Sequence, residues 1–139
     1  MTTEANKALV WRAFDLAWNR GSIEVEDPPY APDWVGHVGG GAAGLDVLKQ
    51  VMLQWRTAFP DMRLECEEQI AEGDKVATRW AGTATHAGPF MGVAPTGKPL
   101  AIAGHVVDRV ANGKIVESWF MDDIFGLLKQ IGALPPMFG

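Results

Sequence analysis

The sequence has a single cysteine, Cys66, so no disulfide can close within the chain. That fits a reducing compartment, and a cytoplasmic location is expected. It also lacks a basic cluster: 12 Lys and Arg stand against 17 Asp and Glu, a net charge of −5. Nucleic acid and anionic membrane surfaces are therefore not expected partners. No apolar run reaches the roughly 18 residues needed to span a bilayer. The three His and the acids show no HxH or HExxH spacing, and there is no CxxC, so no metal and no other cofactor is expected. There is no internal repeat and no low-complexity tract. Tyrosine is almost missing, with one residue against six Trp. So many large apolar rings serve either plain core packing or a roomy aromatic-lined interior.

The 139 residues, 47% hydrophobic and 21% charged, fit one globular domain spanning 1–139. A chain of about 150 residues buries roughly 70% of its unfolded surface, enough for a core and an internal pocket. Residues 4–20 carry Trp11, Phe14 and Trp18 on one helical face, with Glu4, Lys7, Arg12 and Asp15 among them. This is an amphipathic helix and not a signal peptide. Asn19-Arg20-Gly21 ends it, and Asp27-Pro28-Pro29 is a loop. A short element opens at Ala31-Pro32-Asp33-Trp34, and Gly39-Gly40-Gly41 is a connector. Leu45 to Phe59 forms the next helix, with Leu48, Met52, Trp55 and Phe59 on its apolar stripe.

The period then changes to two. Met62, Leu64, Cys66, Glu68 and Ile70 alternate with Arg63, Glu65, Glu67 and Gln69, which predicts a strand with the first set on its apolar face. Further strands follow over Val76 to His86, Leu100 to Val110 and Ile115 to Met121. Asn112-Gly113 marks a tight hairpin between the last two. A short helix, Ile124 to Ile131, ends at Gly132. Helices first and an antiparallel meander after define an α+β domain. A sheet curved around those helices leaves a concave face for side chains or a ligand.

Several stretches together resemble the SnoaL-like polyketide cyclases. They are Glu72-Gly73-Asp74-Lys75-Val76, Thr85-His86-Ala87-Gly88-Pro89-Phe90-Met91-Gly92 with Val93-Ala94-Pro95-Thr96-Gly97-Lys98, and Asn112-Gly113-Lys114-Ile115-Val116-Glu117-Ser118-Trp119. Tyr30-Ala31-Pro32-Asp33, Phe59-Pro60-Asp61, Asp123 and Gly126 to Gly132 match in order and spacing. The resemblance covers nearly the whole chain. It implies the cone-shaped α+β fold of nuclear transport factor 2 and ketosteroid isomerase, a deep apolar pocket, a homodimer and cofactor-free acid–base chemistry. The best-known activity of the family is an aldol ring closure that uses an Asp on the last strand and a His on the strand before. Anchored on the Asn112-Gly113 hairpin, those positions fall at Phe120 and Val106, which transfer no proton. The related limonene-epoxide hydrolases need an Arg and two Asp. Their last-strand acid also falls near Phe120, and Thr78-Arg79-Trp80 holds no Arg-x-Asp, which disfavours an epoxide hydrolase.

If Phe120 and Val106 take the pocket face, residues two away share it: Gly104, Asp108, Ser118 and Asp122. His105, Arg109, Trp119 and Asp123 then point to the opposite face, a candidate subunit interface. Asp122 is the first candidate acid or base, because an apolar cavity raises a carboxyl pKa toward neutrality. The alternative is that Asp122 or Asp123 caps the last helix. Asp108 is the second candidate, or else a carboxylate served by water or lysine near the hairpin mouth. His37 is the third, able to hold or protonate a carbonyl oxygen at the pocket entrance, or else a loop histidine in water. His86 is read as a support for the following loop, and His105 as an interface or core histidine. Glu68 is a further weak candidate, and Cys66 a buried small hydrophobe. Phe14, Trp18, Trp34, Trp55, Trp80, Val106 and Phe120 are the expected pocket lining. Two functions follow: an acid–base cyclase, isomerase or dehydratase acting on a hydrophobic polyketide- or terpenoid-like carbonyl compound, or a non-catalytic protein that sequesters such a ligand.

Overall fold

The computed structural model describes residues 2–134. The first helix, α1 (Thr3–Phe14), starts on the Thr2 side chain, which accepts from the Ala5 N–H. It continues into a π-helical turn, Asp15–Asn19, whose closing bond runs from Arg20 N to Asp15 O. Asn19 pins that turn to the sheet: its amide donates to Leu64 O and accepts from Leu64 N. Strand β1 (Tyr30–Val38) follows, then β2 (Gly41–Ala43) and α2 (Leu45–Ala58). The remainder is β3 (Arg63–Glu72), β4 (Lys75–Thr85), β5 (Pro99–Ala111), β6 (Lys114–Asp122) and α3 (Ile124–Gln130).

The six strands form one open sheet in the order β2-β1-β6-β5-β4-β3. The meander from β3 to β6 is antiparallel throughout, while β1 joins β6 in parallel. Asn112 and Gly113 both have positive φ, +53° and +73°, as the tight β5–β6 turn requires. Helix α1 packs on β3 and β4, α2 on β1, and α3 on β5. Val10, Phe14, Trp18, Met52, Phe59, Trp80 and Val106 are among the residues of the core between the helices and the sheet.

Two expectations about β3 are corrected. The register slips between Cys66 and Glu68, so Cys66 faces Trp80 while Glu68 faces Arg79. This bulge turns Glu68 to the outer surface, where it meets Arg79 at 3.4 Å, and leaves Ile70 65% exposed. Gln69 takes the inner face instead and donates to Lys7 O on α1. Cys66 is exposed, not buried. The Gly39-Gly40 pair is the turn of a β1–β2 hairpin, and Gly41 already belongs to β2.

A buried relay ties three strands together. Trp34 Nε1 on β1 donates to Ser118 Oγ on β6 at 3.0 Å, and Ser118 Oγ donates to Asp108 Oδ1 on β5. Burial pushes the Asp108 carboxyl up to about 7, although the Ser118 bond pulls the other way. The folded state therefore holds a proton that the unfolded chain releases above about pH 4. The stability this adds is complete below pH 4, falls as pH rises and is gone above about pH 7. Replacing Asp108 by Asn keeps an acceptor for Ser118 and removes the titration. Urea denaturation should show the variant gaining on wild type by a few kcal/mol, to order of magnitude, between pH 5 and pH 8.

Candidate active site

Three residues lie in one row across the inner face of the sheet. Trp80 on β4 sits opposite Gly104 on β5, and Gly104 sits opposite Asp122 on β6. The next row holds Thr78, Val106 and Phe120. Gly104 leaves the space that its neighbours use: a Cβ there would come within 2.5 Å of Trp80 Cζ2 and 3.0 Å of Asp122 Oδ1. The indole edge and the carboxylate thus converge above one glycine. Gly36 does the same for Trp34, whose ring a Cβ would meet at 2.2 Å.

Two adjoining clefts open over these rows. The inner one lies between Phe14, Trp18, Trp55, Met62, Leu64, Trp80, Phe120 and Asp122, a narrow space of about 270 Å³ when the solvent at its mouth is counted. The outer one measures about 420 Å³ with the solvent at its mouth counted, and is walled by Trp34, Gly36, Val38, Ala43, Val47, Leu48 and Val51. Trp18, Phe120 and Asp122 belong to both, so the clefts meet at the carboxylate. Among the described residues Asp122 is the one ionisable residue in either lining. Desolvation among these rings raises its pKa to about 6.

The helix-capping role falls to the neighbour. Asp123 Oδ1 accepts from Gly126 N at 2.9 Å, which leaves the Asp122 side chain to the cleft. Six of the seven expected lining residues stand in the clefts: Phe14, Trp18, Trp34, Trp55, Trp80 and Phe120. Val106 is buried in the core beside Phe120 and lines neither cleft. Asp108 also lines neither cleft, being held within the relay to Ser118 and Trp34. His37 is not at the pocket entrance. Its strand neighbours Gly36 and Val38 face the outer cleft, so His37 points to the other side of the sheet. There it stacks on Trp119 with ring centroids 5.3 Å apart, and Nε2 lies 2.7 Å from Glu117 Oε2. Arg109 completes that outer cluster by donating to Glu117 Oε1, and the two partners hold the Glu117 carboxyl below its ordinary range. His86 supports the loop after β4: Nδ1 accepts from Thr96 N, and the ring packs on Phe59. Among the described residues no group of three His, Cys, Asp or Glu is gathered as a metal site.

Two polar atoms of the cleft walls escaped the sequence reading. The indole nitrogens of Trp18 and Trp80 are buried and have no hydrogen-bond partner among the described residues. Each unmet donor costs on the order of 1–3 kcal/mol. Composition shows the rings and says nothing of where their N–H groups point.

The family model for SnoaL-like polyketide cyclases matches residues 8–131. The chain belongs to that family. Among solved structures it resembles AclR of Streptomyces galilaeus, a candidate hydroxylase, at 34% identity and a TM-score of 0.86, covering 96% of this chain and 100% of that one. It also resembles IdmH of Streptomyces antibioticus, a candidate polyketide cyclase, at 31% identity and a TM-score of 0.77, covering 95% and 99%. TsrD of Streptomyces laurentii shares the fold, at 22% identity and a TM-score of 0.84 over 96% and 99%. No curated protein matches. The SnoaL-like chain thus has the open, cone-shaped α+β fold of its family, with three helices and a six-stranded sheet. No described helix is long and apolar enough to cross a membrane.

The row geometry makes Gly104 a sensitive position. Gly104→Ala should destabilise the SnoaL-like domain by about 1–3 kcal/mol in urea, because the methyl group meets the Trp80 ring. Asp123→Ala should cost about 1 kcal/mol through the lost cap, while Asp123→Asn should be mild.

Proposed function

We propose that the protein is a cofactor-independent acid–base enzyme in which Asp122 transfers a proton to or from a hydrophobic carbonyl compound of polyketide or terpenoid type. The observation that carries this reading is the single desolvated carboxyl where two apolar clefts meet. A pKa of about 6 suits the task, since catalysis is best when the group exchanges protons near the working pH. As a carboxylate, Asp122 takes a proton from the carbon beside the carbonyl. The electron pair moves onto the oxygen as an enolate, and return of the proton to the same or another carbon completes an isomerisation. Attack of the enolate on a second carbonyl of the same substrate would close a ring instead. The aromatic walls exclude water from the enolate and hold the rings of the substrate. Phe120 and Val106, where the family's usual acid and base would stand, favour a second reading, a binding protein for the same ligand class.

A simple ketone separates the two. In D2O the protein should catalyse exchange of the protons beside the carbonyl of 2-tetralone, followed by proton NMR. Asp122→Asn should lower that rate at least about a hundredfold, the usual scale for a general base, with the fold kept. The wild-type rate should rise with pH through about 6, as the carboxylate form appears. Exchange equal in wild type and variant would leave the binding reading.

We also propose a homodimer across the outer sheet face. Val35, Trp119 and Met121 are exposed there at 38%, 36% and 75%, surface that a second copy would cover. Light scattering at micromolar concentration should give twice the chain mass of 15.1 kDa.

A further inference from the structure

We propose that the indole N–H groups of Trp80 and Trp18 form an oxygen-anchoring subsite, and that the ligand of the cleft is a neutral ring ketone whose carbonyl oxygen accepts from them. This deepens the acid–base reading and rests on it for the role of Asp122.

An indole nitrogen donates one hydrogen bond and accepts none. Trp80 and Trp18 are 4% and 8% exposed, and both nitrogens are unpaired among the described residues. Both rings wall the inner cleft. The direction of the Trp80 edge is visible at Gly104, where a Cβ would lie 2.5 Å from Cζ2 and 2.8 Å from Cε2, the carbon that carries Nε1. Asp122 Oδ1 approaches the same point at 3.0 Å, yet the two groups do not bond to each other. The Trp80 edge that carries Nε1 and the Asp122 carboxylate therefore lie side by side over Gly104, and both residues wall the inner cleft. An oxygen held by Trp80 sets the neighbouring carbon beside Asp122, the arrangement that proton transfer next to a carbonyl needs.

The same inventory limits the ligand. Among the described residues the cleft linings hold no Lys, Arg or His, so an anionic ligand would meet Asp122 with no compensating charge. A hydrocarbon would leave both donors unmet. A neutral ketone satisfies them on entering, and the same two bonds strengthen when negative charge gathers on its oxygen.

The test uses 2-tetralone and tetralin, which share the ring skeleton and differ in the oxygen. In protein carrying 15N-labelled Trp, assigned through Trp→Phe variants, 2-tetralone should move the Trp80 and Trp18 indole proton signals downfield, and tetralin should not. Trp80→Phe should weaken 2-tetralone binding about tenfold and tetralin binding less than twofold. The Trp18→Phe variant should act in the same direction. Indole signals that ignore 2-tetralone, or a Trp80→Phe variant that loses both ligands equally, would overturn the subsite and make the rings plain walls. Both readouts concern binding, so loss of proton exchange in Asp122→Asn stands or falls separately.

Discussion

The site depends on the strand register of β4, β5 and β6. Because side chains alternate with period two, that register places Trp80, Gly104 and Asp122 in one inward row. A slip of one residue would send all three to the outer face and bring Arg79, His105 and Met121 or Asp123 inward. The Asn112-Gly113 turn sets the β5–β6 pairing, and the aromatic core on the inner face holds it against slippage. Gly104 then acts by having no side chain. The space it leaves is where an indole edge and a carboxylate meet without bonding.

The two inward carboxyls show how one fold divides roles between like groups. Burial raises both, to about 7 for Asp108 and about 6 for Asp122. Asp108 accepts from Ser118, which accepts from Trp34, so its first consequence is to fix the ring that walls the outer cleft. Among the described residues Asp122 has no side-chain hydrogen-bond partner, and its shift has desolvation as its cause. The partnered acid holds three strands together, while the unpartnered one faces the clefts. On the far side of the sheet, Glu117 between His37 and Arg109 is pulled the other way, toward the ionised form.

Much of this was legible in the sequence because it is local. The Asn112-Gly113 hairpin and the alternation around it were enough to separate Gly104, Asp108, Ser118 and Asp122 from His105, Arg109, Trp119 and Asp123. The helical spacing of Phe14 and Trp18 likewise marked cleft walls. His37 was misplaced because its face depends on the parallel pairing of β1 with β6, a contact between residues about 80 positions apart that no local pattern reports. Glu68 was misplaced for a different reason: one extra residue in β3 reverses the alternation midway, and a bulge has no clear signature in a strand rich in Glu. Cys66 precedes the bulge and keeps the face of its partner Trp80, but β3 is the edge strand and leaves it exposed. The unpaired indole nitrogens depend on ring orientation, which composition does not encode.

The central claim is that the cleft holds Asp122 as a carboxyl poised near neutrality. The direct measurement is a carbon-13 NMR titration of protein labelled at the aspartate carboxyls, with Asp122 assigned from the Asp122→Asn spectrum. The expected midpoint is about 6, well above the ordinary 3.8. A midpoint near 3.8 would mean that water reaches the carboxylate freely, and it would contradict both the desolvated site and the proton-transfer role built on it.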